Sequence, residues 1–163
     1  MQLLDKVRTN INACAIELSF DGVSKASVIE GWQPFYNSIM ENAEFHKAGV
    51  SISSINYAQE SVTSAAGTSY KQKVVFRFPN GDAYRADRIA LMQKIKFVNI
   101  KLSDGRLLTI GRNDFNQNTK PIIKTTENSK ACEVEIESQS IFPSGYTPSY
   151  DRFGLPVFIP LSF

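Results

Sequence analysis

Apolar and polar side chains alternate in short runs along much of this chain. Cys14, Ile16, Leu18 and Phe20 share one parity against Ala15, Glu17 and Ser19, and Asp21-Gly22 closes the run. Val74, Phe76 and Phe78 alternate with Lys73, Val75 and Arg77, and Pro79-Asn80-Gly81 stops them. Val98, Ile100 and Leu102 alternate with Phe97, Asn99 and Lys101, and Ser103-Asp104-Gly105-Arg106 then reads as a hairpin turn into Leu107 to Ile110. Near the end, Cys132, Val134 and Ile136 oppose Glu133, Glu135 and Glu137. A period of two with one wet face marks antiparallel strands laid over a core. One run slips phase: Val50 and Ile52 share a face, but Ile55 and Tyr57 continue on the other parity. That slip predicts a β-bulge at Ser53-Ser54.

Helical spacing is confined to two stretches. Asp82 is placed to cap a helix over Ala83 to Ile95, with Arg88, Ile89 and Met92 on one face. Pro34 to Lys47 reads as a second helix: Pro34 suits a first position, Tyr36, Ile39, Met40 and Ala43 follow helical spacing, and Gly49 is a stop. Ala58 to Ser69 and Arg112 to Lys130 read as long inter-strand loops, a class that usually carries function or stays disordered.

The last stretch, Phe142 to Phe163, breaks with all of this. It holds Pro143, Pro148, Pro156 and Pro160, six aromatics and only two charges, Asp151 and Arg152. The prolines stop helix propagation, and the segment is too apolar for a solvated disordered tail. An extended apolar arm laid along a surface is the remaining form. The fold class expected is therefore mainly β with one or two helices (α+β). It is an antiparallel β-sandwich or partly closed barrel of about six to eight strands. A flanking helix, a long inter-strand loop and a C-terminal arm complete it. Residues 1–141 form the domain and 142–163 the arm.

Composition narrows the class of function. The chain has 163 residues, 42% of them hydrophobic and 21% charged, with a net charge of +2. That suits a soluble domain with one substantial core. Its basic residues are dispersed among acids, unlike the clustered Lys and Arg of a nucleic-acid face. No run approaches the length of a membrane span, and the N-terminus lacks the pattern of a signal peptide. Cys14 and Cys132, far apart, are expected as buried free thiols of a protein made in the cytoplasm.

Catalytic chemistry finds no footing. His46 is the sole histidine and has no orienting acid or nucleophile motif nearby. Spacings for zinc sites, phosphate loops and nucleophile elbows are missing, so the expectation is no enzyme, no cofactor and no metal. Glu133, Glu135 and Glu137 project from one strand face, but same-face neighbours lie about 7 Å apart, too far for one ion. A solvated face, or one paired with Lys and Arg across a subunit contact, is the better reading. Lys71, Lys73 and Arg77 beside Tyr70 and Phe76 could suggest a nucleic-acid face, but Phe76 falls opposite Lys73 and Arg77. The arm carries the strongest signal for contact between copies. Tyr146, Tyr150, Phe153, Phe158 and Phe163 are the aromatic anchors that interfaces favour, and prolines reduce the ordering entropy lost on docking. Gln59, Val62 and Thr68, in the weakly charged Ala58–Ser69 segment, are the second candidate contact. The competing reading is a monomeric β-sandwich binding module for carbohydrate or peptide, with Trp32 at its site.

The stretch Val50–Phe78 with its extended loop, the helix after Asp82, the segment KFVNIKLSDGRLLTIGRND and the strand-to-exit ACEVEIESQSIFPSGY together carry a resemblance in layout. Over approximately residues 50 to 146 the chain resembles bacteriophage tail and neck proteins: tail-tube, tail-terminator and tail-completion types. The resemblance implies a structural virion protein assembled in the bacterial host cytoplasm into a homo-oligomeric ring. The ring would contact neighbouring virion proteins, let DNA pass through its lumen and have no membrane partner. It also makes Glu133, Glu135 and Glu137 candidates for an acidic or neutral lumen face.

Overall fold

A computed structural model describes residues 12–25, 39–41, 44–111, 120–140, 143–144 and 146–147. In chain order the strands are β1 (Ala13–Ser19), β2 (Val23–Lys25), β3 (Ile39–Glu41), β4 (His46–Ala48), β5 (Asn56–Ser64) and β6 (Gly67–Pro79). Helix α1 (Arg85–Met92) follows, then β7 (Phe97–Leu102), β8 (Leu107–Ile110), β9 (Ile122–Glu127), β10 (Ala131–Ser140) and β11 (Tyr146–Thr147). Two antiparallel sheets carry the fold, ordered β11-β8-β7-β1-β4 and β5-β6-β10-β9, and β2 pairs separately with β3. The sheets face each other across one core and do not close into a barrel.

The alternation read from the sequence is what builds that core. Ile16, Leu18, Val98, Ile100, Leu108 and Ile110 come from the five-stranded sheet, and Val74, Phe76, Phe78, Cys132, Val134 and Ile136 from the other. Register keeps them in phase: Ile16 lies opposite Ile100, Ile100 opposite Leu108, and Phe76 opposite Val134. α1 covers one side through Met92, with Ile89 half-buried and Ile95 buried just beyond. Arg88 lays its guanidinium 5.5 Å from the Phe78 ring centre and donates to the Pro79 carbonyl at 2.7 Å. Asp82 does not cap the helix. Its carboxylate pairs with Arg88, and Tyr84 holds the cap position without a side-chain bond.

Five expectations need correction. Residues of the proposed Pro34–Lys47 helix form β3 and β4 instead, because tertiary pairing with β2 and β1 overrides weak helical spacing. Pro34 to Ser38, and Asn42 and Ala43, lie outside the described residues. The phase slip near Ser53 is no bulge. Ile52–Ser54 is a single 3-10 turn that carries the chain from β4 in one sheet to β5 in the other. Ser54 fixes the turn by donating from its hydroxyl to the Ser51 carbonyl at 2.6 Å and accepting from the Arg77 amide at 2.9 Å. Ala58–Ser69 is not a loop, since β5 and β6 run through it with only Ala65-Ala66 between them. Part of Arg112–Lys130 is likewise ordered as β9, paired with β10, while 112–119 lie outside the described residues. Finally, Cys14 is exposed. The β1–β7 register shifts between Ala13 and Ala15, which turns Cys14 off the core, whereas Cys132 is fully buried; both thiols are free.

Gly111 closes β8 with φ at 107°, and a Cβ there would stand 2.2 Å from the Lys96 carbonyl oxygen. Only glycine lets the end of β8 lie this close to the start of β7.

Candidate functional site: a projecting hairpin and a charged sheet face

β6 is the spine of the four-stranded sheet. β10 pairs with it only as far as Ser140 opposite Tyr70. Beyond that rung, Val62 faces Ser69, Thr63 faces Thr68 and Ser64 faces Gly67, with no third strand beside them among the described residues. The hairpin thus projects by roughly 12 Å, four residues at the strand rise. Every residue from Ala58 to Thr68 is exposed. Ser61 to Tyr70 (SVTSAAGTSY) carries no charge at all. The turn is held by the Ser64 hydroxyl, which accepts from the Ala66 amide at 3.3 Å and donates to the Gly67 carbonyl at 3.2 Å. Gly67 takes φ at 122°. Natural edge strands are usually guarded by Lys, Pro or bulges against pairing with other chains. This hairpin has none of them, and a two-stranded hairpin alone is marginal in water.

Of the residues expected at the loop, Val62 and Thr68 lie on this tip. Val62 is 37% exposed, and the Thr68 hydroxyl meets that of Thr63 at 3.2 Å. Gln59 lies instead at the root, where its carbonyl oxygen accepts from the Ser144 amide at 2.8 Å, the Ser144 hydroxyl at 3.0 Å and the Tyr57 hydroxyl at 3.1 Å. Nothing in the sequence flagged Ser144 or Tyr57, because their meeting depends on where the chain crosses after β10.

The outward face of the same sheet holds the three glutamates in a row. Each finds a cation on a neighbouring strand of its own chain. Glu133 accepts from Arg77 Nε at 2.6 Å, and Glu135 binds Lys73 at 2.7 Å and Lys124 at 3.4 Å. Glu137 binds Lys124 at 3.5 Å and Lys73 at 3.9 Å. The hydrogen bond from Lys73 chiefly holds the Glu135 carboxyl below its usual range, and that to Glu135 chiefly raises Lys124. Three acids interleaved with Lys73, Arg77 and Lys124 leave a face of alternating sign with little net field. The sequence marks the acids, but Lys124 comes from β9, whose Asn-, Thr- and Lys-rich surroundings read as loop.

His46 sits exposed on edge strand β4, its ring 6.2 Å from that of Phe20. Among the described residues, no group of three or more His, Cys, Asp or Glu could hold a metal ion. None of their helices is long and apolar enough to cross a membrane. Tyr146 opens β11, whose backbone pairs with β8 of its own chain, opposite Leu108. Tyr150, Phe153, Phe158, Phe163 and Trp32 lie outside the described residues.

Fold and site together define an antiparallel β-sandwich with one flanking helix and an unguarded hairpin on its rim. No protein-family model, no curated protein and no solved structure matches the chain.

Proposed function

We propose that this is a structural virion protein of a bacteriophage, a ring-forming component of the tail or head–tail connector that acts by subunit assembly around a DNA channel. The observation that carries the assembly reading is the uncharged hairpin tip, whose residues Val62 to Thr68 are exposed and left uncovered by any other described residue. Such an edge invites pairing with another chain, and the absence of guarding charges supports its being covered in the working state. Contact between this hairpin and a different surface of the next copy is heterologous, the kind that closes into rings.

The topology supports the same arrangement. The sheet has an even number of alternating strands, so its edges β5 and β9 run antiparallel to each other. A rotated copy then meets its neighbour in the antiparallel sense, the stabler pairing. The paired charges of Glu133, Glu135 and Glu137 suit a lumen face that neither binds nor strongly repels phosphate. The phage setting itself rests on the resemblance in layout.

The test is light scattering coupled to size-exclusion chromatography on the full chain, with negative-stain imaging of the particle. The reading expects one closed oligomer seen as a ring, reduced to smaller species when Val62–Ser69 is replaced by a two-residue Asn-Gly turn. A monomer at every concentration, or a hairpinless chain of unchanged mass, would overturn it.

A further inference from the structure

At the root of the hairpin, three donors converge on one carbonyl oxygen, that of Gln59. Two come from Ser144, and the Tyr57 and Ser144 hydroxyls also lie against each other, so either can turn its single proton to the other in place of Gln59. Just beyond, Tyr146–Thr147 forms β11 on β8 in the opposite sheet. Gln59 therefore fixes where the chain leaves one sheet for the other. Among the described residues β11 offers two residue pairs, a length that does not hold a strand in place by itself. If it lifts off, β8 becomes the outer edge of its sheet, with backbone groups open to an equivalent strand.

We propose that Gln59 is the clasp of a strand exchange. While it grips Ser144, Tyr146–Thr147 pairs with β8 of its own chain. Once the grip is lost, the same two residues pair with β8 of a second copy. The two arrangements make the same backbone hydrogen bonds, so the balance depends on the clasp and on how closely the copies are held. Gln59 belongs to the strand that continues into the projecting tip, so a load on that tip reaches the clasp along β5. In its partner, a second copy, this inference rests on the assembly reading.

The experiment is amide hydrogen exchange on the full chain, with a cross-chain disulfide assay in a Cys14→Ser background. Gln59→Ala should speed exchange by about tenfold at whichever of Tyr146 and Thr147 donates its amide to β8, the signature of local opening, while core amides of β6 and β10 keep their rates. Gln59→Glu, which retains acceptor oxygens, should restore slow exchange. Two differently tagged chains, one Thr147→Cys and the other Leu107→Cys, should form a mixed disulfide, and more of it when both carry Gln59→Ala. Thr147 and Leu107 are cross-strand partners, but each chain carries a cysteine at only one of them, so neither can close this bond alone. Unchanged amide exchange in Gln59→Ala would overturn the clasp, and faster exchange with no mixed disulfide would overturn the exchange between copies. A wild-type chain found monomeric in light scattering counts against the ring alone.

Discussion

Replacing Gly111 by alanine tests how closely β7 and β8 are built on each other. The new Cβ would sit 2.2 Å from the Lys96 carbonyl oxygen, 3.1 Å from Phe97 Cα and 3.2 Å from the Lys96 carbonyl carbon. All three are backbone atoms, so no side chain can swing aside. A non-glycine residue held at positive φ costs about 1–3 kcal/mol. Relief of the overlap moves one strand by roughly 1 Å and weakens the pairing around Val98 and Ile110, at about 0.5–1.5 kcal/mol per hydrogen bond. The expected loss is about 3–5 kcal/mol, large for a single substitution. At about 2–4 °C per kcal/mol for a domain of this size, the melting point falls by roughly 6–20 °C. Two other glycines calibrate the result. Gly67 has φ at 122° but nothing within 4 Å of a built Cβ, so Gly67→Ala should lose only the conformational part, about 1–3 kcal/mol. Gly49 has open space and no positive φ, and Gly49→Ala should be neutral or stabilising by up to about 1 kcal/mol. Urea midpoints and thermal melts by circular dichroism give the order. A Gly111→Ala protein as stable as Gly67→Ala would refute the close approach of the two strands.

Other outcomes follow from features already described. Phe76→Ala empties the centre of the core, since Phe76 is fully buried, and should cost about 3–5 kcal/mol in urea unfolding; a loss under about 1 kcal/mol would argue against the sandwich. In the native protein a thiol reagent should modify Cys14 quickly and Cys132 only after denaturant is added, because burial removes access and raises the Cys132 thiol's pKa. Two equally fast thiols would contradict the core assignment. The depressed pKa of Glu135 gives stability that is present above its unfolded value and lost as pH falls through the folded one. Glu135→Gln should therefore flatten the acid limb of a stability-versus-pH curve, and parallel limbs would dismiss the ion pairs as energetically silent. Truncation after Thr147 should preserve the sandwich, because the buried core that joins the two sheets runs from Ile16 to Ile136. If the mass in solution also stays that of the full chain, residues 148–163 have no part in assembly.

The core was legible in the sequence wherever a strand buries one face. Val74, Phe76 and Phe78, and likewise Cys132, Val134 and Ile136, alternate without a break, and each set is buried as its parity requires. Legibility failed where pairing, not burial, makes the strand. Val62, Thr63 and Thr68 have β-branched side chains suited to a strand, but a tip exposed on both faces leaves no alternation, and Ala65-Ala66 is not a familiar hairpin turn. Ile122 to Glu127 hid for a similar reason, as an edge strand among Asn, Thr and Lys. At Ser53 the change of parity was real, but a switch of sheet and a bulge leave the same trace in one dimension. The outward glutamates were visible, whereas their partners required knowing which strands are neighbours. Gln59 belongs by sequence to a weakly charged segment, yet its hydrogen bonds to Ser144 and Tyr57 lie at the hairpin's root, a meeting no local pattern encodes.

The placing of β1 has a consequence for how the chain reaches this state. It lies in the interior of the five-stranded sheet, and its register partner Ile100 for Ile16 is made only after β6 and α1 are complete. During synthesis the first strand therefore waits, its apolar side chains uncovered, while the β5–β6 hairpin closes from neighbouring residues. Such remote pairing places refolding in the millisecond-to-second class. It also makes the interval before Phe97–Leu102 leaves the ribosome the time when the nascent protein is most prone to stick to others.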